Sequence, residues 1–422
     1  MPFHVIKRDS CPLGKKILYY VIAIAVALAI GAVILAIIGV NPLSYYFNMA
    51  TMGMVGNRIA YKAFENYLKV FVPLVLTSVA LSFAFKMRFW NIGGEGQFIM
   101  GSLAAAFVAF KFGPALPQAV TLLLMCVAAV VVAGIYGCFV AALKVKFGTN
   151  ETLLTLMLNY IALYIIIYFA NTAGDWNIFL NHDSARTTFG SFARIASWPG
   201  IPIGKFTLNI CVIFTIIIGI IAHIYLKKTK HGYEIAVVGD SPNSAHYAGM
   251  NVRKIIVRTV FISAALIGLA AAFKVGTAGI LSTAITGNVG WTGVIVAWLA
   301  KLSTGGIFVV SALISILNYG STVAASTFGA VDANFANMLQ GMILFAVLVA
   351  DFFCRFQLVR TEKDAGNAGA GKKEAIREVM QTLADEVTEE NREVFAEQAP
   401  AAETAADTMT AAQEGEEVKN EQ

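Results

Sequence analysis

Long apolar segments constrain the fold of this chain more than any other feature. Only 14% of its residues are Asp, Glu, Lys or Arg, against about 25% in an average soluble domain, and the mean hydropathy is +0.70. This composition excludes a soluble enzyme, a disordered chain and a nucleic-acid-binding protein. We predict an all-α polytopic membrane protein with about ten transmembrane helices, at 17–40, 68–85, 92–110, 119–142, 152–170, 207–226, 257–273, 291–303, 305–323 and 336–354.

Charge divides the chain into two predicted regions. Residues 361–422 contain 16 acidic and 6 basic side chains, a net charge of −10, whereas residues 1–360 have a net charge of +15. We therefore expect a transmembrane domain over 1–360 and an acidic cytoplasmic tail over 361–422. The tail has few large apolar side chains, so we expect it to be disordered or weakly helical.

Lysine and arginine in the short loops predict the orientation. If the N-terminus lies in the cytoplasm, the segments on the cytoplasmic side carry 17 of these residues and the segments on the outer side carry 8. Both termini are therefore expected to face the cytoplasm.

The two halves of the membrane domain share a glycine motif. Asn91-Ile-Gly-x-x-Gly in the first half recurs as Asn288-Val-Gly-x-x-Gly in the second. Two halves of five spans each would have opposite topology, so the pattern predicts an inverted five-plus-five repeat. Glycine-broken helices at matching positions of such repeats build transport sites. The alternative is a chance match, because short glycine-containing matches are common in apolar sequence.

Polar residues at helical spacing identify candidate path residues. Thr152, Thr155 and Asn159 share one helix face, and a second stripe comprises Ser311, Ser315, Asn318 and Thr322. Such stripes either line a hydrophilic path or join helices through hydrogen bonds. Glu95 favours a path, since an intramembrane carboxylate is a functional candidate by default; it could instead cap a helix.

Two tryptophans lie seven residues apart on one predicted face. Trp291 and Trp298 could stack on a flat ring or a sugar face of a substrate. They could equally be an interfacial anchor and a packing residue.

The predicted cytoplasmic loop 227–258 is too polar to be a simple connector. The segment that begins at Asp240 favours a turn or N-cap, followed by a short helix over 244–248 that ends at Gly249. A helix lying along the cytoplasmic face could dock into another protein, or it could only cover the helix ends.

The sequence lacks the motifs of several kinds of catalytic and metal-binding site. The sequence contains no G-x-x-x-x-G-K-[ST], no HExxH and no GxSxG, so an ATP-driven transporter would need its motor on another chain. The five cysteines have neither disulfide-framework nor CxxC spacing, and the histidines have no metal-ligand spacing. We expect no metal, no bound cofactor and no catalytic residue.

Four segments carry a family resemblance. They are 91–97 (NIGGEGQ), 150–162 (NETLLTLMLNYIA), 232–252 and 290–302. Together they resemble the permease subunit of ABC importers of the ribose/nucleoside type, in the branched-chain permease superfamily. NIGGEGQ followed by TLMLNYIA is most similar to the nucleoside branch.

The resemblance implies a function, partners and a location. It implies a permease that carries nucleosides, purine nucleosides in particular, into a bacterial cell across the plasma (inner) membrane. It implies ABC ATPase subunits that hydrolyse ATP, a second permease chain, and an extracellular substrate-binding lipoprotein or periplasmic protein. The membrane lipid is the remaining partner, and nucleic acid is not one. The alternatives are a simple-sugar importer permease of the same architecture and an ion-coupled secondary transporter.

Two sets of candidate residues follow from the motifs and the resemblance together. The first set would line the substrate path: Asn91, Glu95, Gln97, Thr155, Asn159, Asn288, Trp291 and Asn318. The second set would form the coupling loop that meets the motor: Gly232, Tyr233, Glu234, Gly239, Asp240 and Asn243.

Overall fold

The predicted all-α membrane architecture is confirmed. The computed structural model describes residues 3–7, 12–55, 59–180, 189–192, 196–329, 331 and 334–360. In chain order its elements are β1 (Phe3–Lys7), α1 (Leu13–Ile37), α2 (Pro42–Ala50), α3 (Ala60–Lys86), α4 (Gly94–Phe112), α5 (Gln118–Phe147), α6 (Glu151–Asn171), β2 (Gly200–Ile203), β3 (Phe206–Asn209), α7 (Ile210–Lys228), α8 (Lys230–Asp240), α9 (Pro242–Tyr247), α10 (Val252–Ala278), α11 (Val289–Leu299), α12 (Thr304–Phe328), α13 (Asn334–Arg355) and β4 (Phe356–Arg360).

Each of the ten predicted spans overlaps one of these helices. Within the described part of the chain, eight helices are long and apolar enough to cross a membrane: α1, α3, α5, α6, α7, α10, α12 and α13. Helix α4 has 19 residues and reaches about 28 Å at 1.5 Å per residue, but it is not among these eight. Its first turn is polar, because it contains Glu95 and Gln97.

The predicted span 291–303 is wrong as a complete helical crossing. The helix found there, α11, has 11 residues and a length of about 16 Å, roughly half of a hydrocarbon core. The preceding residues, 281–288, form turns and irregular backbone. Such backbone is tolerated at membrane depth only where protein buries it or where it lines a cavity.

Helices α3 and α10 form the buried centre of the helical assembly. Their most apolar windows are 78% and 61% buried, whereas those of the other six long helices are one-third buried or less. Between α6 and α7 the chain forms a small hairpin, in which β2 pairs antiparallel with β3. The peripheral helices each leave one face open, as helices in contact with lipid do.

The chain separates into two compact units. The larger comprises residues 22–347 and contains α2 to α12. The smaller comprises 1–21 and 348–422; in its described part β1 pairs antiparallel with β4, and the Tyr20 hydroxyl donates to Asp351 Oδ1 at 3.0 Å. The predicted acidic tail, 361–422, lies outside the described residues, so its boundary and its conformation stay predictions.

Candidate functional site

The two glycine motifs, far apart in sequence, meet in space. Gly290, at the start of α11, packs directly against the first turn of α4. A Cβ on Gly290 would overlap the backbone nitrogen of Glu95 and would lie 2.5 Å from its Cα. On the other side of the contact, a Cβ on Gly94 would lie 3.6 Å from the Cα of Gly290. The N-termini of α4 and α11 therefore meet at one junction.

Glu95 caps the second helix rather than its own. Its Oε2 accepts a hydrogen bond from the backbone N–H of Gly290 at 2.8 Å, and the Thr286 side chain and the Trp291 backbone N–H also interact with the carboxylate. The side chain is buried, with 8% of the residue exposed. The N-terminus of α11, with its unpaired N–H groups and positive dipole end, matches this carboxylate. We call the contact of Glu95 with Thr286, Gly290 and Trp291 the Glu95 junction.

Asn91 and Gln97 form a closed amide pair ahead of the junction. The Asn91 Nδ2 donates to Gln97 Oε1 at 3.2 Å, and the Gln97 Nε2 donates to Asn91 Oδ1 at 3.1 Å. The Gly93 N–H donates to the same Asn91 oxygen at 3.1 Å. Both amides are fully or nearly fully buried. This pair therefore fixes the non-helical segment that leads into α4.

Thr155 and Asn159 of α6 hold the same segment from the other side. The Gly96 N–H donates to Asn159 Oδ1 at 2.8 Å, and Asn159 Nδ2 donates to the Ile92 carbonyl at 2.9 Å. The Ile92 N–H donates to Thr155 Oγ1 at 3.3 Å. In this state of the protein the first polar stripe thus joins α6 to α4. A role of these residues in a substrate path stays a prediction.

The second polar stripe, on α12, becomes more exposed from Ser311 to Thr322. Ser311 and Ser315 are fully buried, and their hydroxyls have no hydrogen-bond partner among the described residues. Asn318 is half-buried and Thr322 is exposed. The Thr322 hydroxyl donates to the Asn318 backbone carbonyl at 3.0 Å. The Asn318 side chain makes no hydrogen bond with the described residues.

The remaining candidates lie around the start and end of α11. Asn288 is its N-cap, in the left-handed conformation (φ 61°), with no side-chain capping bond. Trp291 is partly exposed. Trp298 stacks on Trp90 with ring centroids 5.1 Å apart and planes inclined at 18°, so it has a packing partner within the protein.

The predicted coupling loop consists of two helices rather than one. The expected short helix is α9, capped by the Ser241 hydroxyl, which accepts from the Ser244 N–H at 3.2 Å; Gly249 follows with φ +73°. Sequence reasoning missed α8. Its Gly232 and Gly239 pack against neighbouring backbone, and a Cβ on Gly239 would overlap the carbonyl oxygen of Lys86 at the end of α3.

Glu234 attaches α8 to α10. Its Oε2 accepts from Arg258 Nη2 at 2.7 Å and lies 3.3 Å from His231 Nδ1. The Arg258 hydrogen bond holds the pKa of the Glu234 carboxyl below its usual range, and His231 acts in the same direction. Glu234 is therefore an internal tether of the loop, joined to the same helix that packs against α3.

The exposed surface of the loop lies on other residues. Tyr233, Asp240 and Asn243 are exposed, and Tyr247 is 92% exposed. Sequence reasoning did not select Tyr247, although aromatic residues are enriched at protein–protein interfaces. It also missed Thr286 and the buried hydrogen bond at 3.2 Å from Gln340 Nε2 to Thr292 Oγ1, which joins α13 to α11.

The meeting of two helix N-termini inside a multi-pass helical body is typical of membrane transport proteins. The family described as the branched-chain amino acid transport system / permease component matches residues 63–348. The chain belongs to this permease family, and the predicted permease class is confirmed.

Three of the curated relatives are named as ABC transporter permeases. The chain is 28% identical to the nucleoside ABC transporter permease protein NupB of Lactococcus lactis, over 73% of this chain and 84% of that one. It is 29% identical to the guanosine ABC transporter permease protein NupP of Bacillus subtilis, over 84% and 99% of the two chains. It is 25% identical to the glucose ABC transporter permease protein TsgB13 of Haloferax volcanii, over 80% and 88%.

Proposed function

We propose that this protein is the translocation subunit of an ABC importer that carries nucleosides, purine nucleosides in particular, into the cell. The observation that carries the proposal is the Glu95 junction, because the two helix starts that build it both lie within residues 63–348, the part of the chain that matches the permease family. The relatives named for nucleoside and guanosine transport align over 73% and 84% of this chain, which supports the same substrate class.

The chain would act by moving substrate rather than by covalent chemistry. ABC ATPase subunits would hydrolyse ATP, and no cofactor would bind to this chain. An external lipoprotein or periplasmic protein would deliver the nucleoside, and a second permease chain, identical or related, would complete the path. Both termini would face the cytoplasm of a bacterial cell, with the chain in the plasma membrane.

The loop formed by α8 and α9 is suited to couple the motor to the junction. It offers exposed Tyr233 and Tyr247 to a partner, while Gly239 contacts the end of α3. Helix α3 in turn packs against α11. A displacement of α8 by the ATPase would therefore reach the helix that Glu95 caps through two direct contacts.

We expect alanine at Tyr247 to uncouple transport from ATP hydrolysis without unfolding the protein. The side chain is 92% exposed, so its removal costs little stability, whereas aromatic anchors at interfaces carry about 2 kcal/mol or more of binding free energy. Substrate-stimulated ATPase activity in proteoliposomes should fall about tenfold or more. Phe47→Ala, which removes another exposed aromatic ring, is the control and should leave this activity unchanged. Equal activities in the two variants would place the motor contact elsewhere.

A transport assay tests the proposed function directly. The permease, its ATPase and its binding protein are reconstituted, and uptake of labelled guanosine is measured with excess unlabelled inosine, ribose or glucose. We expect ATP-dependent uptake that inosine inhibits and the sugars do not. Uptake that persists with an ATPase lacking its P-loop lysine would indicate an ion-coupled secondary transporter instead.

A simple-sugar importer is the second candidate. The specific observation in its favour is the match to the glucose permease of Haloferax volcanii over 80% of this chain. In the same reconstitution, ATP-dependent uptake of labelled ribose or glucose without uptake of guanosine would establish this candidate and overturn the nucleoside proposal.

A further inference from the structure

A cavity of about 480 Å³ lies among α5, α7 and α10. Helix α10 contributes Leu269 and Phe273 to its wall, and Trp198 and Pro199 cover one end. None of the twelve residues that line it is charged, and nearly all of them are apolar. We call this cavity the apolar groove. It is separate from the Glu95 junction and from the loop formed by α8 and α9.

The apolar groove extends through about one leaflet of a bilayer. Its lining residues on α5 run from Gln118, the first residue of that helix, to Cys126. Those on α7 run from Ile210, again the first residue, to Ile218. Eight residues of helix rise about 12 Å, and half of a hydrocarbon core is about 15 Å thick. The groove therefore runs from the surface end of both helices toward the middle of the bilayer.

Hydrogen bonds hold the covered end of the groove in place. The Trp198 N–H donates to the Gly276 carbonyl at 3.1 Å, and Trp198 Nε1 donates to the Ala272 carbonyl at 3.3 Å. Gln118 Nε2 donates to the Ser197 carbonyl at 2.9 Å. Because these bonds tie the covering segment to α10 and to α5, this end of the groove is a preformed wall.

The helix surfaces beside the groove are those of lipid-facing spans. Exposed side chains on α5 include Leu123, Leu124 and Val127. Those on α7 are mainly isoleucine, at Ile213, Ile216, Ile217, Ile220, Ile221 and Ile224. The medium beside the groove is therefore hydrocarbon. Water is a poor occupant, since cavities lined by Leu, Ile and Phe stay dry and take up apolar ligands.

The dimensions of the groove favour a single hydrocarbon chain over a helix of a second protein. A helix about 10 Å across fills about 420 Å³ in each turn, so a length of about 12 Å needs about 900 Å³. The groove supplies about 480 Å³. An unbranched acyl chain is thinner than a helix and lies along the membrane normal, as the groove does. Such a chain would restore the dispersion contacts that the lining residues otherwise lack.

We propose that the apolar groove binds one acyl chain of a membrane phospholipid. The end of the chain lies beside Cys126 and Ile218, and the headgroup lies at the surface end beside Gln118. No acidic side chain lines the groove to repel the headgroup phosphate. The bound chain fills the space between α5 and α7, so the lipid stabilises the folded protein by binding to it.

Native mass spectrometry of the detergent-purified full chain tests the site. Ala119→Phe adds a ring to the mouth of the groove, because Ala119 lines the groove and is exposed. Val120→Phe is the matched control, since Val120 is the next residue of α5 and is exposed but does not line the groove. The wild type and Val120→Phe should each retain one phospholipid per chain. Ala119→Phe should retain about a tenth as much, because the ring overpacks the groove.

Thermal unfolding of delipidated protein provides a second measurement. Added phospholipid should raise the thermal midpoint of the wild type and of Val120→Phe by several degrees, and that of Ala119→Phe much less. The midpoint before lipid is added shows that each variant is folded.

Three results would overturn the proposal. The first is a wild type that retains no phospholipid, and the second is equal retention and an equal rise in midpoint in the two variants. The third is a disulfide that forms on oxidation between the Cys126 residues of two chains with no lipid retained, because it would show that a second copy covers the groove. Neither measurement involves nucleoside uptake, so failure of the proposed function would leave this test intact.

Discussion

Alanine at Gly290 is expected to reduce uptake to less than about a tenth of the wild-type rate. Its Cβ would overlap the Glu95 backbone nitrogen and would lie 2.6 Å from Glu95 Oε2. These atoms cannot move aside as the end of a flexible side chain could, so α11 would separate from α4 and lose the hydrogen bond from the Gly290 N–H. Overpacking alone costs about 1–3 kcal/mol, and the unpaired carboxylate adds to it.

The matched control is Gly305→Ala in the first turn of α12. A Cβ there meets no other atom within 4 Å, and alanine favours a helix over glycine by about 1 kcal/mol. Uptake in proteoliposomes and the thermal midpoint in detergent should therefore stay at or above the wild-type values. Wild-type uptake by Gly290→Ala would show that the contact between the two glycine motifs is dispensable.

Leucine at Asn159 is expected to destabilise the protein, whereas leucine at Asn318 is not. Asn159 satisfies the Gly96 N–H and the Ile92 carbonyl. Its loss would leave two buried backbone groups unpaired, at about 1–3 kcal/mol each. The Asn318 side chain is half-buried and makes no hydrogen bond with the described residues. The thermal midpoint in detergent should fall by several degrees for Asn159→Leu only.

Uptake by the same pair of variants separates a structural role from a path role. Reduced uptake by Asn318→Leu, with normal stability, would support the prediction that the second stripe meets the substrate. An Asn159→Leu protein as stable as the wild type would contradict the joining role that the hydrogen bonds assign to α6 and α4.

Hydropathy located the membrane helices along the sequence, because the insertion of a segment into a membrane depends on its own residues. A run of about 20 apolar residues must satisfy its own backbone in lipid, and so the predicted spans fall on helices. The prediction of a complete span at 291–303 failed because hydropathy is a local property and does not report contacts with distant segments. The sequence there is apolar enough for a span, but the turns before Asn288 and the contact of Gly290 with Glu95 start the helix midway.

Sequence periodicity also established which polar residues share a face, but not what that face meets. Thr155 and Asn159 were placed together correctly, because the helical repeat is fixed. Their partners, the Ile92 and Gly96 backbone groups, lie 63 to 67 residues away. No local pattern encodes a contact at that separation.

The sequence by itself determined the permease class, the two glycine motifs and the position of the polar loop between α7 and α10, since each depends on residues close together in the chain. Only the tertiary structure decided how they are used. Glu95 proved to cap α11 rather than α4, and Gly232 and Gly239 of the loop proved to lie inside a helix, α8. The physical reason is that a cap or a close backbone approach is defined by two segments at once, and the second segment is brought there by the fold.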